Sequence, residues 1–283
     1  MKKLLVVTDF SEAAGHAVDY ACNLANRLNA EHFFILNTYE SVPLYDSGEA
    51  GSLALSMQEA DALEEGRNEE LQLLKERIRS LLKPATALTT MVINDTLALA
   101  VNQVCEDEDI DLVVMGFKPK DELETFFVGD NVQRGVDKIH YPVLLVPRDA
   151  PIAIPDNIVL ASDFKEPLNK SIRIKLHKFL ERLNARVTAV HRCLKNQLNE
   201  KESQLAEELQ LELQNYHFRL HLANNAADLP TVVRTFAKED NASLIISIHK
   251  MRSFVAGLFH KSVTKNLAWR SEVPVLVLHM GGE

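Results

Sequence analysis

The chain alternates short, unbroken apolar runs with longer stretches in which apolar residues return every three or four positions. Residues 4–9 read LLVVTD and residues 158–163 read IVLASD, and each run ends at an aspartate followed by phenylalanine. Runs that are apolar on both faces are the pattern of buried parallel strands. After the first run, Ser11 is placed to cap a helix carrying Ala14, Val18, Ala21, Ala25 and Leu28 at helical spacing. After the second, the pattern predicts a helix with Pro167 in its first turn and Leu168, Ile172, Leu176, Leu180 and Leu183 behind it. Both helices run into the same tetrapeptide, RLNA, at 27–30 and 182–185, and each is followed by a second strand, HFFILNT or VTAVHR.

The remaining elements also come in pairs. A polar loop and a long helix from about Leu55 to Lys83 correspond to a shorter charged helix near Leu198 to Leu213. A third strand (ALTTMVI or HFRLHL), a helix (TLALAVNQVCED or LPTVVRTFAKED) and a fourth strand (DLVVMG or SLIISIH) follow, and the copies finish alike in YPVLLVP and VPVLVLH. Strand, helix, strand order with continuous apolar strands implies right-handed crossovers and a parallel sheet. The expected fold is therefore α/β, with two tandem doubly wound domains, each a five-stranded parallel sheet with helices on both faces. The proline-rich segment RDAPIAIPDN has no helical period, which places the domains at 1–150 and 151–283. Such apolar final strands are aggregation hazards if left as open edges.

Composition narrows the function. Apolar residues make up 46% and charged residues 25%, as in an ordinary globular protein, and no apolar run reaches the roughly 18 residues of a membrane span. A cytoplasmic protein is expected. The three cysteines, Cys22, Cys105 and Cys193, have neither disulfide nor zinc-site spacing. Residues 1–150 carry 13 basic and 26 acidic residues, and residues 151–283 carry 18 and 14, so the net charge of −9 divides into −13 and +4. That division lacks the broad positive face that nucleic-acid binding needs. Neither a GxxxxGK[ST] loop nor an HExxH or GxSxG motif is present, so no catalytic residue is assigned.

With TDFSE after the first strand, a glycine ending the fourth, Gly129 at the start of the last helix and a final PVLLVP strand, the chain resembles the universal stress protein family, as a tandem member with two family domains. The resemblance implies that the halves pair through their final strands, PVLLVP and PVLVLH, as a pseudo-twofold dimer, and it implies a nucleotide site. In nucleotide-binding members the loop reads G, two residues, G, nine residues, G, then Ser or Thr, and the adenine lies near the aspartate after the first strand and the end of the second. Carried onto this chain, the positions that match are Thr8, Asp9, Asn37, Met115, Gly116 and Gly129, with Asp130 and Asn131 following at the helix start. Two positions depart from the pattern. Pro119 stands in place of the middle glycine and has no N–H to offer a phosphate, and Asp130 replaces the hydroxyl residue, bringing its own negative charge. Asp130 is also the one residue placed to hold magnesium beside a phosphate, since that ion prefers carboxylate and phosphate oxygens.

In the second half Ile248, Met251 and Lys261 stand at the three glycine positions, with Ser262 keeping the hydroxyl. No glycine cradle remains, and His249, Lys250, Lys261 and Ser262 form only a weak anion site. Two functions follow. The first is a stress-response regulatory protein that binds an adenine nucleotide, ATP or AMP, in residues 1–150, with magnesium optional and slow ATP hydrolysis the furthest extent of any activity. The second is a nucleotide-free tandem protein that acts as an interaction module for an unknown protein partner or binds another small ligand. The tandem chain can also form a homodimer, and neither nucleic acid nor membrane is an expected partner.

Overall fold

The fold is described from a computed structural model, which describes residues 1–40, 50–118, 136, 138–193, 197–224, 227–250, 267 and 270–280, with backbone alone at 50–60, 249–250 and 280. The first half runs β1 (Lys3–Val7), α1 (Glu12–Leu28), β2 (His32–Tyr39), α2 (Ala50–Arg79), β3 (Ala87–Asn94), α3 (Leu97–Asp107), β4 (Leu112–Phe117) and β5 (Val143–Pro147). The second runs β6 (Asn157–Ser162), α4 (Lys170–Leu180), β7 (Arg186–Cys193), α5 (Glu200–Leu213), β8 (Arg219–Asn224), α6 (Leu229–Glu239), β9 (Leu244–Lys250) and β10 (Val275–Met280).

The strands form one ten-stranded sheet in the order β3-β2-β1-β4-β5-β10-β9-β6-β7-β8. Within each half every pairing is parallel, so each half is the expected doubly wound unit. The halves join through β5 and β10, which pair antiparallel with Leu144 opposite Leu276. Successive strand residues point to opposite faces. Accordingly Leu4 and Val6 enter one core, with α1 and α2, and Leu5 enters the other, with α3. Both cores cross the seam: Leu144 and Leu276 lie in the first, and Val143 and Val275 in the second. The apolar final strands are thus covered by each other.

The repeat holds at the level of single dihedral angles. Asn29 and Asn184, the asparagines of the two RLNA segments, both take left-handed backbone, with φ of 52° and 53°. Phe10 and Phe164, after the two aspartates, do the same, with φ of 63° and 43°. Left-handed backbone is rare for bulky residues, so the two Asp-Phe turns share one strained shape.

One expectation fails. Ser11 caps α1 as predicted, its side chain accepting from the Ala14 amide at 3.2 Å. In the second half, however, the helix does not begin around Pro167. Its cap is Asn169, which accepts from the Ile172 amide at 2.9 Å, and Leu183 lies beyond its end. The cause lies on the neighbouring strand. A Cβ added at Gly116 would stand 2.1 Å from the Ala13 carbonyl oxygen, so α1 can cross β4 only over a glycine. The strand registers put Met115 beside Val7 and Ser247 beside Ala161, so Ile248 is the counterpart of Gly116. With an isoleucine there, the helix loses about its first turn: α4 starts seven residues after Asp163, where α1 starts three after Asp9.

Candidate functional site

The first half offers its site where the strand order reverses, at the C-terminal ends of β1 and β4, the usual ligand position in such sheets. The Asp-Phe turn caps β1. Thr8 is buried and its amide donates to the Leu36 carbonyl at 2.9 Å. Its hydroxyl accepts from the Phe10 amide at 3.0 Å, and the exposed Asp9 carboxylate accepts from the Ser11 amide at 3.0 Å. These bonds hold Phe10 in its left-handed shape.

Asn37, on β2, braces the turn from the side. Its side chain is 1% exposed; Nδ2 donates to the Thr8 carbonyl at 2.8 Å, and Oδ1 accepts from Nη1 of Arg67 at 2.9 Å. Arg67 reaches down from α2. Its guanidinium lies 5.4 Å from the centre of the Tyr39 ring, and the Tyr39 hydroxyl donates to Glu64 at 3.1 Å. Burial pushes the Tyr39 hydroxyl above its ordinary pKa, and the neighbouring Glu64 adds to the rise. The Nε of Arg67 is buried and has no hydrogen-bond partner among the described residues. A buried N–H without an acceptor costs about 1–3 kcal/mol.

Met115 is buried in the sheet, and Gly116 beside it serves the crossing of α1. A cleft of about 490 Å³ opens beside Thr8 and Phe10, between α1 and α2, with Leu74 and Arg77 on its far wall. Arg77 is engaged there, donating to Asp19 at 2.6 Å. Gly129, Asp130 and Asn131, together with Pro119, lie outside the described residues. The structure therefore brings together Thr8, Asp9, Asn37 and Gly116, and adds Arg67, Tyr39 and Glu64, which the strand and loop motifs did not single out. A signal for Arg67 was available: Arg67, Leu71, Leu74 and Ile78 keep helical spacing, and Leu71 and Ile78 are fully buried, so the arginine sits on the inward stripe of α2.

The second half repeats the brace and reverses its charge. His191 pairs with Ser162 in the register that sets Asn37 beside Thr8, and its Nδ1 donates to the Ser162 carbonyl at 3.0 Å. The residue that approaches it from the covering helix is Glu202, with Oε1 3.9 Å from Nε2, where the first half uses an arginine. The adjoining cavity measures about 30 Å³, and Glu166, Glu208 and Glu212 line it against a single arginine, Arg173. Of the weak anion site, His249 and Lys250 end β9, while Lys261 and Ser262 lie outside the described residues. The two histidines of HFRLHL do not share a strand either, since His217 turns the chain with φ of 47° before β8 begins.

The comparison with known families follows this duplicated architecture. A family model described as the universal stress protein family matches residues 1–147 and again residues 156–279. The chain belongs to the universal stress protein family. A curated universal stress protein of Methanocaldococcus jannaschii is 27% identical over 145 residues, which is 51% of this chain and 81% of that protein. Among solved structures, a universal stress protein from Archaeoglobus fulgidus superposes with a TM-score of 0.72 at 15% identity, covering 99% of this chain and 98% of that one. A functionally unknown protein from Pseudomonas aeruginosa superposes with a TM-score of 0.62 at 16% identity, covering 99% and 92%. At such identities these two likenesses concern the fold. Both run the length of this universal stress protein, so the tandem arrangement is shared.

Proposed function

We propose that this universal stress protein is a stress-response regulator that binds an adenine nucleotide, ATP or AMP, in residues 1–150, at the C-terminal ends of β1, β2 and β4. The observation that carries the reading is the buried Nε of Arg67, a donor without an acceptor among the described residues, beside the Asn37 brace. A ring nitrogen of adenine or a phosphate oxygen supplies what it lacks. Tyr39 offers an aromatic face next to it, and the cleft of about 490 Å³ that opens beside Thr8 and Phe10 lies within the ordinary range for small-molecule sites. Asn37 and Thr8 then act as positioning residues that hold the turn and aim Arg67. Gly129 and Asp130 are proposed for the phosphate end, with magnesium beside Asp130.

The same reading gives one nucleotide per chain. In the second half Glu202 takes the place that Arg67 takes in the first, and a further three glutamates line a cavity of about 30 Å³, which repels a phosphate and leaves it no room.

The test is a calorimetric titration of ATP into the full chain, with and without magnesium, beside Arg67→Met and Gly129→Lys variants. The expected result is saturable binding of one ATP per chain, weakened about tenfold or more by Arg67→Met, which corresponds to about 1.4 kcal/mol. A requirement for magnesium assigns Asp130 as its ligand. Absence of saturable heat from the folded, nucleotide-free protein refutes the reading and favours the protein-interaction alternative.

A further inference from the structure

A second cleft, of about 540 Å³, lies at the opposite end of the first-half sheet from the proposed nucleotide site. Asp111, at the N-terminal end of β4, and His140 and Tyr141, just before β5, form one wall. The other wall is α4 of the second half. Along this helix Ile172, Leu176, Phe179 and Leu180 are buried in their own core, and an adjoining stripe with Lys170, Lys175 and Lys178 faces the cleft. Neither half alone makes this site.

Its charge is unbalanced. Among the described residues that line the cleft the one carboxylate is Asp111, and it is already engaged on both oxygens: Oδ2 accepts from the Lys2 amide at 2.6 Å and the Lys3 amide at 3.3 Å, and Oδ1 accepts from the Lys178 ammonium at 3.3 Å. Lys175 is half-buried and makes neither an ion pair nor a hydrogen bond among the described residues. Burial lowers its pKa. Holding an ammonium out of water without a counter-charge is costly. Tyr141, Pro142 and Ile110 add an apolar floor, so the lining suits a ligand with an anionic head and an organic body.

We propose that this inter-domain cleft is an anion site that takes a small phosphate-bearing molecule, with Lys175 and Lys170 holding the phosphate and Lys178 shared between the ligand and Asp111. The site is separate from the nucleotide site. The five residues of β1 alone put roughly 16 Å between the two ends of the sheet. A ligand here touches both halves at once and so ties their relative position to its concentration.

Inorganic pyrophosphate is the probe. It is titrated calorimetrically into the full chain in about 10 mM salt, where charges are screened over about 30 Å. The variants are Lys175→Gln, Lys175→Arg and Lys201→Gln, the last an exposed lysine on α5 away from the cleft. All are made in the Arg67→Met background, which removes the anchor of the nucleotide reading and is common to every variant, so that differences among them report on the cleft alone. The expected result is saturable 1:1 binding that falls about tenfold or more in Lys175→Gln and is retained in Lys175→Arg and Lys201→Gln. Lys175→Gln removes a desolvated charge, so its folding should be intact, and a melting curve checks this. Either the absence of saturable binding, or equal affinity in folded Lys175→Gln, overturns the proposal, as does an equal loss in Lys201→Gln.

Discussion

Gly116 and Ala13 meet backbone to backbone, close enough that a Cβ on Gly116 would stand 2.1 Å from the Ala13 carbonyl oxygen. This contact sets where α1 begins, and so where the Asp-Phe turn and its bracing residues stand. Gly116→Ala should therefore destabilise the protein by at least the roughly 1–3 kcal/mol of an overpacked site, since backbone rather than a pliable side chain must yield. Chemical denaturation of the variant checks this, and an unchanged midpoint would show that α1 shifts freely.

Asn37 is expected to matter first for structure. Replacing it with Ala removes the donor to the buried Thr8 carbonyl and the acceptor for Arg67. A loss of about 1–3 kcal/mol is predicted, together with weaker ATP binding, because Arg67 is no longer aimed. The equivalent His191→Ala should cost stability in the second half and leave ATP binding unchanged.

Asp111 gives the protein an acid-sensitive tie at the seam. Burial would raise its pKa, but the two amides and Lys178 that stabilise the carboxylate outweigh burial and hold it below its ordinary value. A carboxyl depressed in the folded state contributes fully above its unfolded pKa of about 3.9, and that contribution is lost as pH falls through the lower folded value. Asp111→Asn should thus lower stability at pH 7, and the gap to wild type should narrow below about pH 4. Melting curves of both proteins from pH 7 to pH 3 measure it; a constant gap would mean that the charge plays no part.

The seam between β5 and β10 is core on both faces, so the halves should unfold together. Leu144→Ala removes a fully buried side chain there and should cost about 2–5 kcal/mol. A single calorimetric transition is expected for both proteins, and two separate transitions in wild type would show that the halves are energetically independent.

Much of this was legible in the sequence because it is local and repeated: the Asp-Phe turns, the two RLNA helix ends and the matched apolar strands all reappear in the structure. The start of α4 was only half legible: Pro167 and Leu168 suit a first turn, yet Glu166 before them is not a capping residue and Asn169, the cap the structure uses, is, while the steric obstacle, Ile248, is distant in sequence. Arg67 escaped for a related reason. Its helical spacing with Leu71, Leu74 and Ile78 places it on the inward stripe of α2, but that Asn37 is its partner becomes visible only when α2 is known to lie over β2. The inversion to Glu202 in the second half follows from the same placement.

The central claim is that adenine nucleotide sits against Arg67 in the first half alone. Photolabelling of the full chain with 8-azido-ATP, followed by peptide mapping, addresses it most directly. The account predicts labelled peptides around Thr8, Asn37 to Tyr39 or Arg67, protected by unmodified ATP and lost in Arg67→Met. Competable label around Ser162, His191 or Glu202, or no competable label anywhere, would contradict it.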